Sequence, residues 1–316
     1  MSPATIAAIA GRVRAAHSTA RAEAAAALAR ADAYAAIQPA VWISRLPADQ
    51  VLAMAAAVDA RLAAGEDLPL AGVPFAIKDN IDLAGLATTA GCPAFAYRPD
   101  RSASVVERLL AAGAIPLGKA NLDQFATGLN GTRSPYGAPA CVTNLAYISG
   151  GSSSGSAVAV AAGVVAFALG TDTAGSGRVP AAINGLIGLK PSRGRWSNRG
   201  LVPACRSLDC ISVFTHTLAD AALVDQVVAG FDAEDPWSRP MTDVGQADVA
   251  RAGQRVGVPL PHQRQFAGDD ESARLYEQAL AAIAATGAEL VPLDIALLSE
   301  AASLLYDGPW VAERTA

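Results

Sequence analysis

The chain has 316 residues, a formal net charge of −5 and a composition in which 52% of residues are hydrophobic and 17% charged. That balance supports a sizeable core and supplies no basic stripe, so nucleic acid is not expected as a partner. The longest apolar runs, such as 157–169, are broken by glycine and fall short of a membrane span.

Residues 1–66 are alanine-rich with a helical period, interrupted near "IQPAVWISRLPADQ" (37–50). Their first thirty residues carry charges throughout, which reads as an amphipathic helix pair and not as a signal peptide. From Leu70 the texture changes. "VPFAIK" (73–78) predicts a strand, "SASVVERLLAAG" (102–113) a helix capped by serine and closed by glycine, and "AIPLG" (114–118) the next strand. A helix at 155–163, a strand at "VVAFALG" and a short strand at "LIGLK" follow. A helix at 218–230 precedes a polar excursion to residue 252, and "RVGVPL", "DDESARLYEQALAAIAATG" and "ELVPL" then read as strand, helix, strand. Such alternation argues an α/β fold, a sheet with helices on both faces. The four cysteines, Cys92, Cys141, Cys205 and Cys210, have no metal-ligand spacing. They read as reduced thiols of a cytoplasmic protein.

Two glycine–serine clusters, "GGSSSGS" (150–156) and "AGSG" (174–177), flank one apolar run. Both residue types weaken helices and strands, so the pairing needs a chemical reason. Phosphate binding lacks the lysine of a P-loop and the G-x-G-x-x-G of a dinucleotide site. A histidine-based serine hydrolase would draw on His17, His216 or His262, none of which lies in a glycine–serine segment. A serine nucleophile needs only a base that is neutral near pH 7, and a lysine buried away from water qualifies. Lys78, at the end of an apolar strand in "GVPFAIKDN", is one candidate, although a lysine at a strand end is more often solvated.

Four motifs in order, "GVPFAIKDN", "GGSSSGS", "GTDTAGSGRVPA" and "GLKPS", resemble the amidase signature family. The resemblance implies a mixed β-sheet core covered by helices on both faces, following an N-terminal helical segment. It implies a catalytic triad of Lys78, Ser152 (preceded by a cis peptide bond) and the nucleophile Ser176, without metal or cofactor. It also implies an oxyanion hole formed by the backbone N–H groups of Thr173, Ala174, Gly175 and Ser176. Asp172 and Arg178 match signature positions and read as structural supports.

Within the family the chain is most similar to the allophanate hydrolases across roughly 67–316. The likeness is carried by Ala174 and Gly177 in the second cluster, by "NLDQFATGLNGTRSPYG" (121–137) and by "GLVPACRSLDCIS" (200–212). Gly177 stands where most members have a large aliphatic residue, which is expected to crowd the acyl pocket. In "LLYDGPWVAER" the resemblance gives Tyr306 and Arg314 the task of holding the substrate carboxylate. Arginine suits it by its two-pronged donor geometry, and Pro309 suits a first helical turn. The expected division is a helical segment at 1–66, able to serve a homodimer interface, and a catalytic domain at 67–316 that continues past Ala316 in the family. The expected partner is a small amide, allophanate first, with no nucleic acid or membrane. Three alternatives stand beside it: another small amide, glutamine in the hydrolysing component of an amidotransferase, and an inactive homologue acting through oligomer contacts.

Overall fold

The computed structural model describes residues 4–240 and 253–315. Contacts divide the chain into two units, Met1–Met241 and Thr242–Ala316. The second half of the polar excursion, 241–252, lies outside the described residues.

The first unit starts with helices α1 (Ile6–Arg14) and α2 (Ala20–Ala35), each opened by a threonine whose hydroxyl accepts a backbone N–H of the first turn. A short strand β1 (Trp42–Arg45) and helix α3 (Ala48–Ala63) follow. Then come β2 (Pro74–Lys78), α4 (Ser104–Ala111), β3 (Ile115–Ala120), α5 (Ser154–Ala161), β4 (Phe167–Asp172), α6 (Arg178–Ile183), β5 (Ile187–Leu189), β6 (Cys210–Thr215) and α7 (Leu218–Val228). The strands form one mixed sheet in the order β1-β3-β2-β4-β6-β5. β2 runs parallel to both β3 and β4, and the outer pairings are antiparallel.

Side chains alternate across this sheet and build a core on each face. Phe75, Ile77, Phe167, Leu169, Ile211 and Val213 join residues of α1, α3, α4 and α7 in one buried cluster. Ala76, Ala168 and Phe214 point the other way and pack with Ala157–Val160 of α5 and Ala181 of α6. Phe75 stacks on Phe167 across β2 and β4, ring centroids 5.0 Å apart. Ile6, Ile9 and Val13 of the N-terminal helices belong to the same cluster as Phe75.

The second unit has parallel strands β7 (Arg255–Pro259) and β8 (Glu289–Leu293), connected through α8 (Asp270–Ala285), with α9 (Ala296–Asp307) and α10 (Trp310–Thr315) after them. Asp269 caps α8 by accepting the Ser272 N–H at 3.0 Å. No described helix is long and apolar enough to cross a membrane.

Three local expectations need correction. The segment 37–50 is not only a break, since Trp42–Arg45 pairs with β3 as an edge strand. "CISVFT" forms β6, a fully buried strand that the residue pattern alone does not predict. The predicted serine cap of α4 fails: Ala103 occupies the cap position, and the Ser102 hydroxyl accepts the Ala84 N–H at 2.9 Å instead.

Candidate active site

Lys78 ends β2, and β-alternation puts its side chain on the face of Ala76, toward α5. The helix α5 starts within the first glycine–serine cluster, at Ser154, and Lys78 meets the part of the cluster that precedes it. Its Nζ donates to Ser152 Oγ at 2.7 Å and to Thr171 Oγ1 at 2.7 Å. Lys78 and Ser152 are both fully buried. Burial drives the lysine down to about 7, against the more distant pull of Asp123, Asp209 and Asp172.

The Gly151–Ser152 peptide is cis. Its surroundings are too close for side chains: a Cβ on Gly151 would lie 2.2 Å from Asp123 Oδ2 and 2.5 Å from the Gly131 nitrogen. The Asp123 N–H donates to the Ser152 carbonyl at 3.0 Å, and its carboxylate accepts the N–H groups of Gly131 and Arg133 at 3.0 and 2.7 Å. The Ser153 hydroxyl sits 3.2 Å from both the carbonyl and the N–H of Thr171, tying this loop to β4.

The second cluster is the turn that leaves β4. Asp172 organises it, accepting the N–H groups of Gly175, Gly177 and Arg178 at 2.7, 3.1 and 3.1 Å and both prongs of the Arg178 guanidinium at 2.8 and 2.9 Å. These donors hold the Asp172 carboxyl below its usual range in spite of burial. Ser176, 4% exposed, stands in the middle of the turn. Of the four N–H groups expected around an oxyanion, that of Gly175 is therefore engaged by Asp172. Those of Thr173, Ala174 and Ser176 make no hydrogen bond to another described residue. The Thr173 hydroxyl donates a short bond to the buried Asp209, which also accepts the Ala204 and Cys205 N–H groups.

The structure thus joins Lys78 to Ser152 directly and sets Ser176 five residues after Thr171, the lysine's other partner. Thr171 was missed in the sequence, although it is the first hydroxyl after the apolar run 164–170. Asp209 was missed as well, hidden in "CRSLDC". His216 bonds the Val160 carbonyl at 2.9 Å, and no described histidine bonds Lys78, Ser152 or Ser176. A cavity of about 180 Å³ borders Asp209, lined also by Asn198, Arg199, Arg206 and Trp237, and a wider one of about 500 Å³ is lined by Gln124, Phe125, Thr127, Arg133 and Pro135.

Gly177 packs closely against β6. A Cβ there would lie 2.5 Å from Ser212 Oγ and 2.9 Å from Ser212 Cβ, so a large side chain collides with β6. Gly177→Ile is expected to destabilise the protein by about 1–3 kcal/mol through overpacking. A urea midpoint equal to that of the wild type would contradict this placement.

In the second unit, Tyr306 lies in α9 and Arg314 in α10, with Pro309 just before the latter. The Arg314 guanidinium carbon lies 5.7 Å from the centroid of the Tyr306 ring. The two residues are brought together within this unit.

Comparison with known proteins gives a consistent picture. Residues 25–316 match the family model described as Amidase. The chain is 50% identical over 250 residues to urea amidolyase of Saccharomyces cerevisiae, covering 79% of this chain and 14% of that protein. It is 43% identical over 263 residues to a glutamyl-tRNA(Gln) amidotransferase component of Deinococcus deserti, covering 82% of this chain and 53% of the relative. The solved structure of Kluyveromyces lactis allophanate hydrolase superposes with a TM-score of 0.79 at 49% identity, over 86% of this chain and 44% of that one. The chain therefore spans only part of the proteins that it resembles.

Proposed function

The chain belongs to the amidase family, and from that premise we propose that it is an amidohydrolase that cleaves the C–N bond of allophanate and releases ammonia, using Ser176, Ser152 and Lys78. The observation that carries the chemistry is the hydrogen bond between a buried lysine, held near 7, and the hydroxyl of Ser152. A neutral Lys78 takes the Ser152 proton while Ser152 takes that of Ser176, whose oxygen attacks the carbonyl carbon. The carbonyl π electrons move onto oxygen, where the N–H groups of Thr173, Ala174 and Ser176 meet the charge. Reversal of the relay protonates the departing nitrogen, the C–N bond breaks, and water repeats the sequence on the acyl-enzyme.

The choice of allophanate rests on the likeness to Kluyveromyces lactis allophanate hydrolase and on Arg314. This substrate carries a carboxylate, and a guanidinium over an aromatic ring offers it a forked, oriented donor pair. Glutamine hydrolysis is the second reading, favoured by the identity to the amidotransferase component. A homodimer built on the N-terminal helices belongs to the same proposal.

Ammonia release from allophanate, malonamate, a neutral amide of similar size and glutamine separates these readings. Allophanate is expected to be turned over with the highest kcat/KM. Arg314→Lys is expected to cost at least tenfold in kcat/KM on allophanate, mostly in KM, and little on the neutral amide. Equal losses on both substrates would contradict the carboxylate role, and preferential turnover of glutamine would favour the second reading.

A further inference from the structure

A second lysine is buried beside the first. Lys119 of β3 has no exposed surface, yet its surroundings differ from those of Lys78 in kind. Its Nζ lies 3.0 Å from Asp79 Oδ1 and donates to Thr88 Oγ1 at 2.9 Å. Asp79 is the residue that directly follows Lys78, is equally buried, and receives the Thr89 N–H at 3.0 Å together with a short bond from the Thr89 hydroxyl. Thr88 donates its own proton to Asp82 Oδ1 at 2.8 Å, where the Tyr97 hydroxyl also donates at 2.7 Å. The backbone closes the same knot: the Asp79 N–H bonds the Ala120 carbonyl, and the Ala90 N–H bonds the Asp79 carbonyl.

We propose that the buried Asp79–Lys119 ion pair is a positioning device for Lys78, clamping the end of β2 and neutralising the carboxylate next to the catalytic amine. The proposal rests on the reading of Lys78 as the base. Two buried ions are costly to desolvate, and an apolar pair of similar volume would serve stability as well or better, so stability alone does not account for their presence. The site has a need that the pair meets. The three carboxylates whose charges act on Lys78 are all engaged: Asp123 by Gly131 and Arg133, Asp172 by Arg178 and its turn, Asp209 by Thr173, Ala204 and Cys205. An unpaired Asp79 would add a charge one residue from the base and favour its protonated, inactive form.

The test compares the full chain with Lys119→Met, Asp79→Asn/Lys119→Met and Lys78→Ala. The readouts are kcat and KM on the preferred amide, the pH profile of kcat/KM, and the reactive fraction titrated with a serine-directed sulfonyl fluoride. Lys119→Met is expected to move the acidic limb upward by about one pH unit, because Asp79 is left unpaired. The double variant is expected to return the limb to its wild-type position while kcat per titrated serine stays about tenfold low at unchanged KM, because the clamp is gone. An unmoved limb in Lys119→Met, or a wild-type kcat per titrated serine in the double variant, would overturn the proposal. Should Lys119→Met fail to fold, the double variant, which leaves no unpaired buried charge, decides alone. Full activity of Lys78→Ala would instead overturn the underlying reading of the base.

Discussion

Ser176→Ala is expected to lower kcat/KM by about 10⁵-fold, down to the level at which only oriented backbone donors and binding act. The loss should be that large because in the proposed reaction Ser176 supplies the bond-forming oxygen, and no other hydroxyl in the turn can replace it. Thr173, three residues away, has its hydroxyl committed to Asp209. The substitution deletes one atom from a side chain that makes no hydrogen bond to another described residue, so stability should hardly change. Steady-state ammonia release together with a urea melt checks both halves. Substantial residual turnover would remove Ser176 from the reaction, and a large fall in stability would turn the lost activity into a folding effect.

The second large effect concerns Lys78. Lys78→Ala is expected to cost about 10³-fold in kcat, the scale of a lost general base. The pH dependence is the more informative measurement. In the proposed reaction the amine works only when neutral, and burial lowers it to about 7. Protonation as pH falls therefore removes the base. Two units below 7 only about one molecule in a hundred holds a neutral Lys78, so kcat/KM at pH 5 should be roughly a hundredfold below its plateau. Above 7 the profile should level off. A flat profile between pH 5 and 8, or an acidic limb near the ordinary lysine range, would contradict the assignment.

Much of the fold was legible in the residues. The strand at 74–78 and those at 115–120 and 167–172 announce themselves as short apolar runs between turn residues, and the sheet then follows from alternation with helices. β1 was hidden because its four residues are all half-buried at a sheet edge, which leaves no alternation to read. β6 was hidden for the opposite reason: it is buried on both faces, and its start is masked by the turn chemistry of "CRSLDC". The serine before α4 looked like a cap because propensity is local, whereas its hydroxyl is taken by Ala84. In the site, the order of motifs pointed to Lys78, Ser152 and Ser176. That Lys78 is buried with only hydroxyl partners could not be read from sequence, since it depends on the convergence of β2, β4 and the loop before α5. The same holds for the close approach of Gly177 to Ser212 of β6.

The most direct test of the central claim, a serine activated through a neutral buried lysine, is the rate of inactivation by a serine-directed sulfonyl fluoride as a function of pH, with the modified peptide identified by mass spectrometry. The account predicts a single adduct on Ser176, formed at a rate that rises through pH 7 in the wild type and is slow at every pH in Lys78→Ala. An adduct on any other residue, or labelling of Ser176 at a rate indifferent to both pH and Lys78, would contradict it.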